Sequence, residues 1–226
     1  MKNSYLIAGL VVLVAILGLI LSSKKTEAPL ENTLEKESDV PVLAGPITDG
    51  TYKLDTEASI LYWEGEYLTG LSEKGTVNLK SGEITVAQGL ISGGEFVIDM
   101  NTIDSNPRKD RLVTHLKSDD FFGVENHPTA TFTLKSMAAT SEIGAKEGRY
   151  VIAGDLTVRG ITKPISFTAN LKPEGDTLSG TASFAINRAD WEIKYNSPTF
   201  FKDLGDKIIR DAVTIGLDLK AERVIQ

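Results

Sequence analysis

The 226-residue chain contains no cysteine, only two histidines and two tryptophans, and its 24 Lys and Arg are outnumbered by 31 Asp and Glu. Without a thiol there is no cysteine nucleophile, no Cys-ligated zinc, no disulfide framework and no lipid-modified N-terminal cysteine. The redox compartment stays open. A formal charge of −7 argues against a nucleic-acid partner, which needs clustered Lys and Arg to displace counterions from phosphates. His115 and His127 do not have a tight zinc-ligand spacing. The chain also lacks a nucleophile elbow, a phosphate loop and a paired catalytic motif.

Charge is missing from one stretch altogether, residues 3–23, and residues 5–21 are nearly continuous Leu, Ile, Val, Ala and Gly. A run of this length can cross a bilayer as a helix. Residues 1–25 are therefore expected to be a transmembrane anchor, with a cleaved signal sequence as the competing reading. Residues 26–49 mix Glu, Lys, Ser, Asn, Thr and Pro without a sustained period, the composition of a flexible linker. Residues 50–226 are then one folded domain, large enough for a substantial core.

Strand signals recur through that domain. Tyr52 and Leu54 alternate, as do Leu61, Trp63 and Tyr67, then Phe96, Ile98 and Met100. Residues 76–79 and 83–86 read as two short strands either side of Ser81-Gly82. Phe132 with Leu134, Ile165 with Phe167, and Ala182 with Phe184 and Ile186 continue the series, and Val213, Ile215, Leu217 and Leu219 close it. One helix is expected, over residues 107–117, where Pro107 suits the entry and Leu112 and Leu116 form an i,i+4 apolar pair. About eight half-buried strands with a single helix predict an all-β antiparallel barrel or sandwich, because a parallel sheet would need a helix between most strands. Such a barrel either fills its interior or holds one small ligand.

Five blocks then carry a resemblance. They are residues 55–70 around Leu61-Tyr62-Trp63-Glu64-Gly65; His115-Leu116-Lys117-Ser118-Asp119-Asp120-Phe121-Phe122; His127-Pro128-Thr129-Ala130-Thr131-Phe132; Gly154-Asp155-Leu156-Thr157-Val158-Arg159-Gly160-Ile161-Thr162-Lys163-Pro164; and Phe184-Ala185-Ile186-Asn187-Arg188. Together they resemble the YceI-like family, in the family's order and over most of the folded domain. The resemblance implies an extended lipocalin-like antiparallel barrel outside the bacterial cytoplasm, with a long apolar cavity for polyisoprenoid or similar lipid chains. It implies no cofactor and no catalytic residue. It also orients the anchor, with the barrel on the extracytoplasmic side of the cytoplasmic membrane, or secreted if the N-terminus is cleaved. One departure is Glu192, at a place the family usually gives to Gly, which predicts a differently shaped loop at the barrel mouth.

The expected function is therefore binding, without enzymatic activity: sequestering or carrying a polyisoprenoid, an isoprenoid quinone or a similar apolar chain. Parity assigns Trp63, Phe96, Ile98, Phe132 and Leu134 to the cavity wall, together with Phe167, Phe184 and Ile186. Ile215 and Leu217 complete it, and Tyr67 or Arg188 would stand near a polar end. Phe121 and Phe122 are expected to plug one end of the barrel, with gating that end as the alternative. Asp155, Arg159, Lys163, Asn187 and Arg188 have two readings, a clamp for a lipid headgroup or hydrogen bonds that fix the register of the wall. Two other functional classes stay open. One is an interaction barrel of the cell envelope with a filled interior; the other is an enzyme on a lipid substrate using Asp119, Asp120 or His115 as acid and base. A homodimer is compatible with the sequence but not required by it.

Overall fold

Alternation in the sequence becomes alternation in burial, and the strands it builds are longer than their apolar cores. The computed structural model describes residues 47–140 and 148–225. In chain order these form β1 (Gly50–Leu54), β2 (Ile60–Tyr67), β3 (Ser72–Ala87), β4 (Leu90–Ser105) and the helix α1 (Asp110–Lys117). After the helix come β5 (Thr129–Ala139), β6 (Gly148–Val158), β7 (Ile161–Glu174), β8 (Thr177–Asn187) and β9 (Ile209–Arg223). Short 3₁₀ turns at Arg188–Trp191 and Gly205–Lys207 lie in the connection before β9.

The sheet runs β1-β3-β2-β9-β8-β7-β6-β5-β4 and closes through β3–β4 pairing. Every pairing is antiparallel. β1 and β2 both pair with β3 on one side and β9 on the other, so they share one place in the ring. Nine strands therefore make an eight-membered barrel. Closure satisfies the edges that an open sheet would leave free.

The reading of two short strands around Ser81-Gly82 is corrected: β3 runs through them, with a bulge where the register slips between Leu79 and Ser81. The extra residue shifts the parity of the strand by one. Val77 and Leu79 before the bulge, and Ile84 and Val86 after it, consequently all point inward and are buried. The helix also starts later than expected, at Asp110, because the Lys109 backbone N–H is held by the Ser105 hydroxyl, 2.8 Å away. Val113 and Leu116 are its buried residues.

The β6–β7 connection is a two-residue turn. Arg159 and Gly160 both have positive φ, at 52° and 73°, which matches the twist of a tight hairpin. Pro164 lies within β7. The Arg159 side chain reaches away from its own hairpin and donates to the carbonyls of Asp119 and Phe121. It fastens the segment after α1 to the barrel. Asp155 pairs with Lys135 on the neighbouring strand, Nζ to Oδ2 3.5 Å.

Packing begins before the expected domain boundary. Ile47 is 2% exposed within the core, and the Asp49 carboxylate accepts the backbone N–H groups of Gln88 and Gly89. The expected membrane anchor and the rest of the linker lie outside the described residues. Among the described residues no helix is long and apolar enough to cross a membrane.

Candidate functional site

The barrel encloses a cavity of about 360 Å³. Its wall is aliphatic and aromatic over nearly its whole length, with Leu61 and Trp63 from β2, Phe96 and Ile98 from β4, and Phe132 and Leu134 from β5. Phe167 on β7, Phe184 and Ile186 on β8, and Ile215 and Leu217 on β9 complete the circuit. Tyr67 and Arg188 face it near the end that carries α1. All twelve residues singled out by parity and resemblance thus line one space.

Four phenylalanines form a row across this interior. Ring centroids are 6.4 Å apart for Phe96–Phe132, 5.8 Å for Phe132–Phe167 and 4.1 Å for Phe167–Phe184, the last pair stacked with planes 9° apart. β6 lies between β5 and β7, so the Phe132 ring must cross it to reach Phe167. Gly154 permits the crossing. A Cβ there would sit 2.5 Å from Phe132 Cζ and 2.4 Å from the Thr133 carbonyl oxygen. Gly154 is required by close approach rather than by a turn.

The polar lining residues gather at the helix end, namely Tyr67, Glu73, His115, Arg188, Tyr195 and Asn196, with Thr181 the exception. Each charged one has a partner. Glu73 accepts from Lys109 Nζ at 2.7 Å, and His115 Nε2 is 2.9 Å from Asp120 Oδ2. The His115 ring packs edge-on against Phe121 and Tyr195, with centroids 5.0 and 4.5 Å away.

Arg188 is only 4% exposed, and its guanidinium donates to the carbonyls of Ile193, Ile209 and Arg210 while lying 3.3 Å from Asp211 Oδ1. Burial pulls its pKa below the ordinary arginine value, an effect that Asp211 opposes. These bonds hold the 190s segment against the start of β9. Asn187 Oδ1 accepts the Ala189 N–H and caps the 3₁₀ turn. Asp119 and Asp120 are exposed and do not line the cavity, so of the acid–base candidates only His115 does, with Asp120 against its outer nitrogen.

Trp191 was not among the expected residues. It is 2% exposed, lines the helix end of the cavity and donates its indole N–H to the Leu156 carbonyl at 3.2 Å. The only local signal was Asn187, a capping residue at a strand end, which marks a turn into the next element. Glu192 follows in the left-handed region, with φ 56° and ψ 29°. The loop thus holds a glutamate in a conformation suited to glycine.

Among curated relatives, a UPF0312 protein of Pseudomonas putida strain GB-1 is 27% identical over 191 residues, spanning 81% of this chain and 91% of that protein. A UPF0312 protein of Photorhabdus laumondii is 37% identical over 93 residues, but the match spans only 45% of its length. Two solved structures share the fold. Burkholderia cenocepacia BcnA superposes with a TM-score of 0.59 at 17% identity, covering 74% of this chain and 98% of that one. A polyisoprenoid-binding domain from Saccharophagus degradans superposes with a TM-score of 0.60 at 18% identity, covering 78% and 100%. A YceI-like domain is matched over residues 52–221, from within β1 to within β9, and the chain belongs to that family.

Proposed function

We propose that this protein binds a long apolar chain, a polyisoprenoid, isoprenoid quinone or similar lipid, inside its barrel. The carrying observation is the cavity itself, walled by side chains that offer a ligand contact but almost no hydrogen bonds. Its size falls in the range of ligand pockets, roughly 300–1,000 Å³. Each methylene withdrawn from water contributes about 0.8 kcal/mol, against the cost of ordering a flexible chain. The fold of a polyisoprenoid-binding domain in another organism supports the same reading. A filled interior, which a purely structural barrel would need, is not what the wall encloses. Of the acid–base candidates only His115 lines the cavity, and its Nε2 is 2.9 Å from Asp120 Oδ2.

The polar residues at the helix end identify where a ligand's polar group would lie, with Tyr67 and Tyr195 as the hydroxyls available to it. Arg188 would support that end through its carbonyl bonds rather than by grasping the ligand. The uncharged run at residues 3–23 supports a tethered protein, with the barrel on the extracytoplasmic side. Lipid extraction and native mass spectrometry of the purified full chain test the proposal. A bound prenyl or comparable chain, and a raised melting temperature with added polyprenol, are the expected results. Absence of both would sink it.

A further inference from the structure

Packed side chains stand at both ends of the cavity. Ile47 and Tyr52, 2% and 1% exposed, fill the core near the end opposite α1. At the helix end Leu116, Phe121, Trp191 and Ile193 are all buried. Two of these are tied down, Trp191 by its bond to the Leu156 carbonyl and Phe121 through its carbonyl, which accepts from Arg159. An entering chain would have to displace them.

The wall differs in one place. Pairing of β7 with β8 runs from Glu174↔Thr177 to Ala169↔Ala182 and goes no further. β7 nevertheless stays paired with β6 as far as Val158↔Ile161, and β8 with β9 as far as Asn187↔Ala212. Residues 161–168 and 183–187 therefore face each other as two unpaired strand edges. Pro164, which has no N–H to give, sits in that stretch, as suits a strand lacking a partner on one side.

Phe167 and Phe184 are the next inward residues past the last paired rung, and their stacked rings bridge the gap at 4.1 Å. Behind them come Ile165 and Ile186, and all four line the cavity. On the outer surface Ser166 and Thr168 of β7 and Ser183 and Ala185 of β8 are exposed. At its helix end the seam is bounded by the 3₁₀ turn Arg188–Trp191, which follows β8 and packs against β7.

We propose that the apolar chain enters and leaves the cavity laterally, between β7 and β8, with the stacked Phe167–Phe184 pair as the shutter. The proposal rests on the reading of the barrel as a chain-binding protein. Side-on passage needs two rings to turn and breaks no strand pairing, and rotamer changes are far faster than the rearrangement of a hydrogen-bonded, buried plug. It also suits a ligand with one polar end. That end can rest among the polar residues of the helix end, where the seam finishes beside Arg188, while the tail slides past the rings, so no polar group has to cross the apolar interior.

Because the chain has no cysteine, thiols placed at the exposed positions Ser166 and Ala185 are the only ones present. The full-length S166C/A185C double variant, bridged across the seam by a short bis-methanethiosulfonate reagent, is mixed with a dansyl-labelled farnesyl chain in stopped flow. Uptake and release are expected to slow at least tenfold on bridging and to recover on reduction. Each single-cysteine variant treated with the same reagent should be unaffected. Protein loaded before bridging should retain the probe, which shows that the bridge has not collapsed the cavity. In the opposite direction, the F167A/F184A variant should exchange the probe several-fold faster. Equal rates with and without the bridge overturn the lateral route alone. No binding by the unbridged protein overturns the chain-binding reading, and the route falls with it.

Discussion

Arg188 and Asp211 form a buried ion pair at the mouth of the barrel, with Nη2 3.3 Å from Oδ1 and side chains only 4% and 12% exposed. The second carboxylate oxygen accepts the Thr199 hydroxyl at 2.7 Å, whereas Oδ1 has no well-formed hydrogen bond and depends on the arginine. One pair thus joins three places in the chain: the turn after β8, the loop at Thr199 and the start of β9. Arginine suits this task because its planar fork serves three carbonyls and a carboxylate at once.

Removing one partner should be costly. Arg188→Met leaves Asp211 buried without its counter-charge and is expected to lower stability by about 3–5 kcal/mol, the range for breaking a buried pair. Arg188→Met with Asp211→Leu should recover part of that loss. Urea unfolding of the three proteins measures it, and a single-variant loss under about 1 kcal/mol would show that the pair is not effectively buried.

Gly154→Ala should destabilise through steric conflict. Its Cβ would fall 2.4 Å from the Thr133 carbonyl oxygen and 2.5 Å from the Phe132 ring. The ring can move but the backbone cannot easily do so, and overpacking of this kind costs about 1–3 kcal/mol. Phe132→Leu in the same chain should relieve only the ring's share. Thermal melts of both variants separate the two contributions.

The cavity can be filled from one position without touching its polar end. Ala182 lines the space beside Phe184, and Ala182→Trp should occupy room otherwise available to a ligand. Affinity for a farnesyl or longer probe is expected to fall at least tenfold, about 1.4 kcal/mol or more, while far-UV circular dichroism is unchanged. Full binding by a folded Trp variant would place the ligand elsewhere.

Glu192→Gly is expected to stabilise the protein slightly. A non-glycine residue in the left-handed region costs about 1–2 kcal/mol, which the φ of 56° at Glu192 incurs. Glycine relieves this, at the cost of greater freedom in the unfolded chain, about 0.5–1 kcal/mol. The exposed Glu192–Lys194 pair at 3.6 Å offers little to lose. Chemical denaturation should show a gain of up to about 1 kcal/mol; a loss would mean that Glu192 has a contact of real weight.

Much of the wall was legible because a strand side chain alternates with a period of two whatever the strand pairs with. Phe96, Phe132, Phe184 and Ile215 could be placed on the inner face from their immediate neighbours alone. Where pairing breaks the period, local reading failed. Ser81-Gly82 looks like a turn, since nothing local distinguishes a bulge from a chain reversal, and only the slip of β3 against β4 shows which it is. Trp191 was missed for a related reason. It lies beyond a strand end, and its place inside the barrel comes from the Leu156 carbonyl of a strand that precedes it by more than thirty residues.

The sequence by itself determined an all-β chain with one short helix, the direction in which most inward residues point, and the membership that five ordered blocks express. Those are consequences of backbone geometry and residue type, which act over a few neighbours. Tertiary structure decided that the interior is hollow, that β7 and β8 part along one seam, and that Arg188 supports the mouth. A void is the difference between the ring that eight strand positions enclose and the volume of the side chains inside it. That difference is settled only when strands far apart in the chain close upon one another, with Gly154 giving way so that Phe132 can lie across the wall.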